Sequence, residues 1–150
     1  MSVWRHFESL ETFPRRLLPI GDAICRFNPV FGQGMSVAAQ EALLLGRLLG
    51  SRGGDPLTGL APAFFAEACR LIEPPWASAA VRDLALSRTE GLRPRDLDAR
   101  LKFGRALTRL AAEDPAVHRQ MLEVQHLLKP PSILRDSDLV ERVQTMMAEA

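Results

Sequence analysis

The chain lacks a strong net charge, an uninterrupted apolar run and the aromatic-rich basic patches of nucleic-acid-binding proteins. Its 150 residues carry 19 basic and 18 acidic side chains, a formal net charge of +1, so no large field attracts nucleic acid or an anionic membrane surface. The longest apolar stretch, residues 37–49, is interrupted by two charged side chains and is too short to cross a bilayer. We therefore expect no nucleic-acid partner and no transmembrane segment.

Cysteine is scarce, and its two positions form no recognised motif. Cys25 and Cys69 lie far apart and outside any Cys-x-x-Cys pattern, so we expect free thiols in a reducing compartment. The first ten residues, MSVWRHFESL, lack a signal peptide's apolar core, which favours a cytoplasmic location by elimination. We assign no metal site, because His118 and His126 would point about 80° apart on a helix of 3.6 residues per turn.

What the chain does have is a globular composition that glycine and proline divide into helical segments. A hydrophobic fraction of 47% with 25% charged residues is typical of a folded domain with a core. Asp114 followed by Pro115 has the pattern of a helix N-cap and first helical position. We predict a mainly α chain, with helices at residues 34–49, 60–72, 76–86, 96–112, 115–128 and 137–149. The last two helices are expected to bury Val117, Met121, Val124 and Leu128, and Leu139, Val140, Val143 and Met147.

A short apolar segment before the first helix, RRLLPI at residues 15–20, is predicted to be a strand. A single strand followed only by helices has no pairing partner, and an unpaired strand is not stable. The segment would therefore pair with residues 3–7, or it would belong to a sheet completed by sequence that this chain does not contain.

The loop between this segment and the first helix has the features of a binding site. Asp22 follows the predicted strand, and its carboxylate could accept hydrogen bonds from ligand hydroxyls. Gly32 and Gly34 flank Gln33 and lack side chains that would keep a flat ligand from the backbone. Pro29 directs the loop, and the helix start offers unpaired N–H groups and a positive dipole end. The alternative is structural: Asp22 caps a turn, and the glycines only allow a tight entry into a buried helix.

The order of residues in GDAICRFNPVFGQGMSVAAQEALLLGRLL, residues 21–49, closely resembles the second FAD-binding motif of the flavin-dependent aromatic hydroxylase and epoxidase superfamily, the relatives of p-hydroxybenzoate hydroxylase. The form FNPVFGQGM is most similar to a bacterial subgroup that includes polyether-pathway epoxidases. Residues 114–134 are also similar to that subgroup's C-terminal segment, so the resemblance spans most of the chain. Identity and spacing match at Gly21, Asp22, Ala23, Pro29, Gly32, Gln33 and Gly34.

The resemblance implies a role for each part of this loop. Asp22 would bind a ribityl hydroxyl of FAD, and the backbone at the start of the helix would face the pyrimidine side of the isoalloxazine ring. Pro29 would lie near the ring position where an apolar organic substrate is oxygenated, with NAD(P)H as electron donor. The cofactor carries the chemistry in such enzymes, so we assign no catalytic residue. The implied cofactor-binding set is Gly21, Asp22, Pro29, Gly32, Gln33, Gly34, Met35 and Ser36.

The chain also departs from the family pattern. Cys25, Ser36 and Glu41 stand where histidine, asparagine and aspartate are usual. The strand, Gly-x-Gly-x-x-Gly turn and helix that bind the ADP half of FAD do not occur in these 150 residues, although the parent enzyme would have an α/β three-layer fold.

We therefore expect residues 1–54 to be the end of an FAD-binding domain and residues 55–150 to be a helical segment packing on it. Such a chain would be the C-terminal portion of a monooxygenase, inactive alone. Flavin halogenases and reductases of unsaturated lipids share the motif, so the reaction type stays open. The alternative function is a stand-alone helical interaction module without redox activity.

Overall fold

Five helices and one two-stranded sheet make up the regular structure of residues 2–148, the part of the chain that the computed structural model describes. Strand β1 (Val3–Trp4) pairs antiparallel with β2 (Cys25–Arg26), so that Val3 lies opposite Arg26. The predicted mainly α fold class is confirmed. The helices are α1 (Gly34–Gly50), α2 (Leu60–Leu84), α3 (Leu97–Glu113), α4 (Pro115–Gln125) and α5 (Ser137–Ala148).

The predicted strand at residues 15–20 is wrong. Arg16 has a positive φ of 62°, which no extended strand accommodates, and Pro19 has no N–H to donate to a ladder. The residues just after the N-terminus do form a strand, but its partner is β2, beyond Gly21. Because residues 15–20 form no strand, they give no reason to expect a sheet completed by other sequence.

The two helices predicted at residues 60–72 and 76–86 are one helix, α2, with Pro74 and Pro75 inside it. Proline in a helix interior removes a backbone hydrogen bond and is costly, although its φ is itself helical. Ile72 and Ala79, on either side of the two prolines, are both buried, and apolar burial of this kind offsets the lost bonds. The proline pair therefore does not end the helix.

The chain divides into two compact units, Met1–Trp76 and Ala77–Ala150. The boundary lies inside α2, after Trp76, the residue that follows the proline pair. The division that we predict at residue 54 separates the cofactor loop from the later helices by function, and it stays a prediction. Of the helices within residues 2–148, none combines the length and apolar composition that crossing a bilayer requires.

The core of the first unit is rich in aromatic side chains. Phe13 lies edge-to-face against Phe7 and Phe65, with ring centroids 5.6 Å and 4.9 Å apart. Trp76 packs against Trp4 and Phe27 in the same manner. These contacts hold the N-terminal segment and Phe27, the residue after β2, against α2, and so fix the frame in which the Gly21–Gly34 loop lies.

The core of the second unit is formed by α3, α4 and α5. Leu128, predicted to face inward, is 70% exposed, because α4 ends at Gln125 and Leu127 adopts a positive φ of 59°. On α5 the buried methionine is Met146, and Met147 packs partly buried beside the core. The buried residues are Ala106, Leu107, Leu110, Ala111, Val117, Leu139, Val143 and Met146.

The predicted N-cap at Asp114 is confirmed. Its carboxylate accepts hydrogen bonds from the backbone N–H groups of Ala116 and Val117 and binds Arg142 of α5 at 2.7 Å. The bond to Arg142, followed by the bond to the Ala116 N–H, lowers the pKa of Asp114. One side chain therefore starts α4 and ties it to α5.

Asp114→Ala should lower the Tm of the chain at pH 7. Because the carboxyl's pKa is lower in the folded state, its stabilisation is present above the unfolded pKa and is lost as the pH falls through the folded pKa. The difference in Tm between wild type and variant should therefore be full at neutral pH and shrink below about pH 4. Thermal unfolding by circular dichroism measures it, with the exposed Glu141→Ala as control. A difference that persists unchanged at pH 3 would contradict the role of the charge.

Candidate functional site

The turn that carries Asp22 is a single turn of 3-10 helix, Gly21–Ala23, that lies against α1. Gly21 has a φ of 59°, and a Cβ added there would lie 3.6 Å from the Cβ of Ala38. Glycine suits this position, because other residues rarely adopt such a φ. The Arg5 guanidinium donates to the carbonyl oxygens of Asp22 and Ala23 at 3.4 and 3.3 Å.

The Asp22 carboxylate faces the start of α1. Its Oδ1 lies 3.9 Å from the position that a Cβ on Gly34 would occupy, and no other atom outside the local chain comes within 4 Å of that position. Asp22 itself is exposed. The structure thus brings the carboxylate close to the start of α1, where Gly34 has no side chain.

The segment before α1 is shaped by a second 3-10 turn, Pro29–Phe31. Asn28 caps this turn, since its Oδ1 accepts the Val30 N–H at 3.2 Å. Gly32 ends the turn in the left-handed region at a φ of 65°, which glycine adopts without strain. The predicted role of Pro29 in directing the loop agrees with its place at the first position of the turn.

Two apolar side chains stand exposed on either side of the glycines. Val30 is 84% exposed and Met35 is 86% exposed. Gln33, between the glycines, is buried, and its carbonyl oxygen accepts the Val37 N–H at 3.0 Å as the first hydrogen bond of α1. The exposed side chains of this segment are therefore both polar, at Asp22, and apolar, at Val30 and Met35.

Glu41 is a further member of this site, outside the set of residues predicted from the sequence. It is 0% exposed and lies on the buried face of α1 with Val37 and Leu44. Its Oε2 accepts the Gly21 N–H at 2.5 Å, and its Oε1 has no hydrogen-bond partner among the described residues. Burial raises the pKa of Glu41, the bond from Gly21 lowers it, and the charge of Asp22 raises it. The sequence pattern that could have revealed the buried position of Glu41 is its pair of apolar neighbours at i−4 and i+3, Val37 and Leu44, which place it on the core-facing side of the helix.

Cys25, on β2, is buried beneath the same turn. Burial, and then the charges of Glu41 and Asp22, raise its pKa to about 12. A thiol with this pKa stays protonated at neutral pH and is a poor nucleophile. Cys25 therefore packs as a small apolar side chain.

The cofactor-binding set that the resemblance implies lies within one continuous segment, and the structure places its two ends side by side at Asp22 and Gly34. Ser36 is half-buried in the first turn of α1. Among residues 2–148, no three His, Cys, Asp or Glu side chains cluster closely enough to hold a metal ion.

Comparison with known proteins gives one partial relative. The chain is 37% identical over 84 residues to Protein Rv3254 of Mycobacterium tuberculosis, and the match covers 56% of this chain and 18% of the relative. The chain thus spans less than a fifth of the length of the curated relative that it matches. No family model matches the chain.

The Cys25 thiol should resist alkylation in the folded chain. In a Cys69→Ser variant, which leaves Cys25 as the single thiol, iodoacetamide at pH 8 should react at least about tenfold more slowly than in the same variant unfolded in urea. Mass spectrometry over time measures both rates. Equal rates would contradict the burial and the raised pKa of this thiol.

Proposed function

We propose that this chain is the C-terminal portion of a flavin-dependent monooxygenase, a hydroxylase or epoxidase, and supplies the ribityl and isoalloxazine side of the FAD site. The observation that carries the proposal is the position of the Asp22 carboxylate beside the uncovered start of α1. The sequence motif from Gly21 to Gly34 supports it independently, because its residues match the family's second FAD-binding motif in identity and spacing.

Asp22 would hold the ribityl chain. Its carboxylate is exposed and can accept hydrogen bonds from hydroxyl groups, and bonds to a charged acceptor are stronger than neutral ones. The carbonyl oxygens of Asp22 and Ala23 are bound by Arg5. The carboxylate is therefore presented from a turn whose backbone is held in place.

The start of α1 would face the ring. The first hydrogen bond within the helix comes from Val37 to Gln33, so the N–H groups of Gly34, Met35 and Ser36 are those that a helix leaves without an intrahelical acceptor. Together with the positive end of the helix dipole they favour a negative charge on the adjacent ring. FAD would supply the oxygen chemistry, and these residues would bind it, orient it and stabilise its charge.

The chain would require further polypeptide to complete the site. The 150 residues contain no Gly-x-Gly-x-x-Gly turn for the ADP half, and the match to the longer relative covers 18% of that protein. On α1, Met35 and Leu43 are 86% and 64% exposed, an apolar surface that a covering segment would bury. The electron donor NAD(P)H, an apolar small-molecule substrate and a cytoplasmic location are further parts of the proposal that follow from the resemblance.

A stand-alone helical interaction module is the second candidate. In the second unit Leu92 and Leu128 are 94% and 70% exposed, and such a module would use exposed apolar side chains to contact its partner. The two candidates differ in the genomic sequence upstream of Met1. An in-frame strand with a Gly-x-Gly-x-x-Gly turn would support the enzyme. Its absence, together with a purified chain that stays colourless after FAD is added, would support the module.

We expect riboflavin, which contains the ring and ribityl chain but no ADP, to bind this chain weakly at the predicted loop. In ¹⁵N–¹H spectra, riboflavin should shift the amide signals of residues 21–23 and 32–36. Asp22→Ala should weaken the binding about tenfold, because it removes a charged hydrogen-bond acceptor. Glu11→Ala, which removes an exposed acid from the same unit, is the matched control.

Two results would contradict this proposal. Shifts spread evenly over the surface, or left unchanged by Asp22→Ala, would remove the flavin site. A tight yellow complex of this chain with FAD would contradict the expectation that a further segment is needed for the ADP half.

A further inference from the structure

Glu41 is a buried acid that the proposed cofactor chemistry does not use. It lies within α1 between Val37 and Leu44, both also buried, and its side chain has no exposure to solvent. Burying a carboxyl group is costly unless it is hydrogen-bonded, and burying a charged one is costlier still. The buried position of Glu41 must therefore be explained by the group to which it is hydrogen-bonded.

What Glu41 binds is the backbone of the turn that carries Asp22. Its Oε2 accepts the N–H of Gly21 at 2.5 Å, and Gly21 is the residue immediately before Asp22. The turn is packed closely enough that a Cβ on Gly21 would contact Ala38, one turn before Glu41 on α1. A helix residue and the loop are thus joined across twenty positions of sequence by one hydrogen bond.

We propose that Glu41 is a positioning residue: by accepting the Gly21 N–H it holds the Gly21–Ala23 turn against α1 and so fixes where Asp22 presents its carboxylate. This hydrogen bond, which we call the clamp, does not depend on any ligand. Its effect on flavin binding, through the position of Asp22, rests on the proposed function. Glu41 has no exposure to solvent, and it acts through Gly21.

The charge state of Glu41 follows from its neighbours. Asp22 faces it from the turn and Cys25 from β2, and neither carries a positive charge. Arg5 of the N-terminal segment is engaged with the turn's carbonyl oxygens. Burial is the largest influence and raises the pKa of Glu41, so the neutral carboxyl persists to higher pH than in an ordinary glutamate. A neutral carboxyl still accepts through its carbonyl oxygen, so the clamp does not need the charge.

The test is amide hydrogen exchange of Gly21, Ala23 and Ile24 by NMR on the 150-residue chain without ligand. Glu41→Gln keeps the length and the acceptor without a charge, and it should leave the exchange rates within about threefold of wild type. Glu41→Leu removes the acceptor and should raise the Gly21 rate at least about tenfold. Gln40→Leu, which places a leucine one residue earlier on α1, is the matched control and should leave the Gly21 exchange rate unchanged.

A second measurement keeps the proposal open to refutation if Glu41→Leu fails to fold. In wild type, the Gly21 amide signal should shift with pH through the titration of Glu41, at a pKa above the ordinary glutamate value, and this step should vanish in Glu41→Gln. A clamp is overturned if the Gly21 signal shows no such step, if Glu41→Gln raises exchange as much as Glu41→Leu, or if Glu41→Leu leaves it unchanged.

Riboflavin separates this inference from the proposed function. If the exchange and titration results hold and riboflavin shifts no loop signals, Glu41 clamps the turn and the flavin proposal fails. If riboflavin shifts the loop signals of wild type and Glu41→Leu equally, the flavin site stands and the positioning role of Glu41 is overturned.

Discussion

The hydrogen bond from the Gly21 N–H to the buried carboxyl of Glu41 is the constraint on which the candidate site depends. A helix face that is otherwise apolar contains one acid, and that acid must find a donor inside the protein. The donor is a backbone N–H in a turn whose φ of 59° favours glycine. Asp22, the next residue, is placed beside the start of α1 as a consequence.

The loop and the start of α1 could be predicted from the sequence, because their signals are local. Gly32 and Gly34 predict the start of α1. Asp114 before Pro115 predicts the cap of α4, since a cap depends on residues one to three positions away. The role of Glu41 depends on a bond across twenty positions. The buried neighbours Val37 and Leu44 place Glu41 on the inner face of α1, but helix periodicity contains no information about which backbone group lies opposite it.

The two errors have different physical origins. The apolar side chains of residues 15–20 indicated a strand, but Arg16 adopts a positive φ and the sheet partner of β1 is β2. Pro74 and Pro75 indicated a break, but α2 continues through them with buried residues on both sides. At Pro74 and Pro75 tertiary packing overrides a local preference, and single-chain propensity contains no information about that packing. At residues 15–20, where Leu17 and Ile20 are 55% and 46% exposed, the positive φ of Arg16 and the missing N–H of Pro19 exclude a strand locally.

The candidate site is already ordered in the chain without a ligand. Arg5 holds two carbonyl oxygens of the turn, Glu41 holds its first N–H, and Asn28 caps the turn that leads to Gly32. A site whose groups are already ordered loses less conformational entropy on binding than one that must fold around its ligand. These bonds are internal to the first unit. The apolar surface beside them at Val30 and Met35 is uncovered, so ligand orientation would come from this chain, and exclusion of water would depend on what covers that surface.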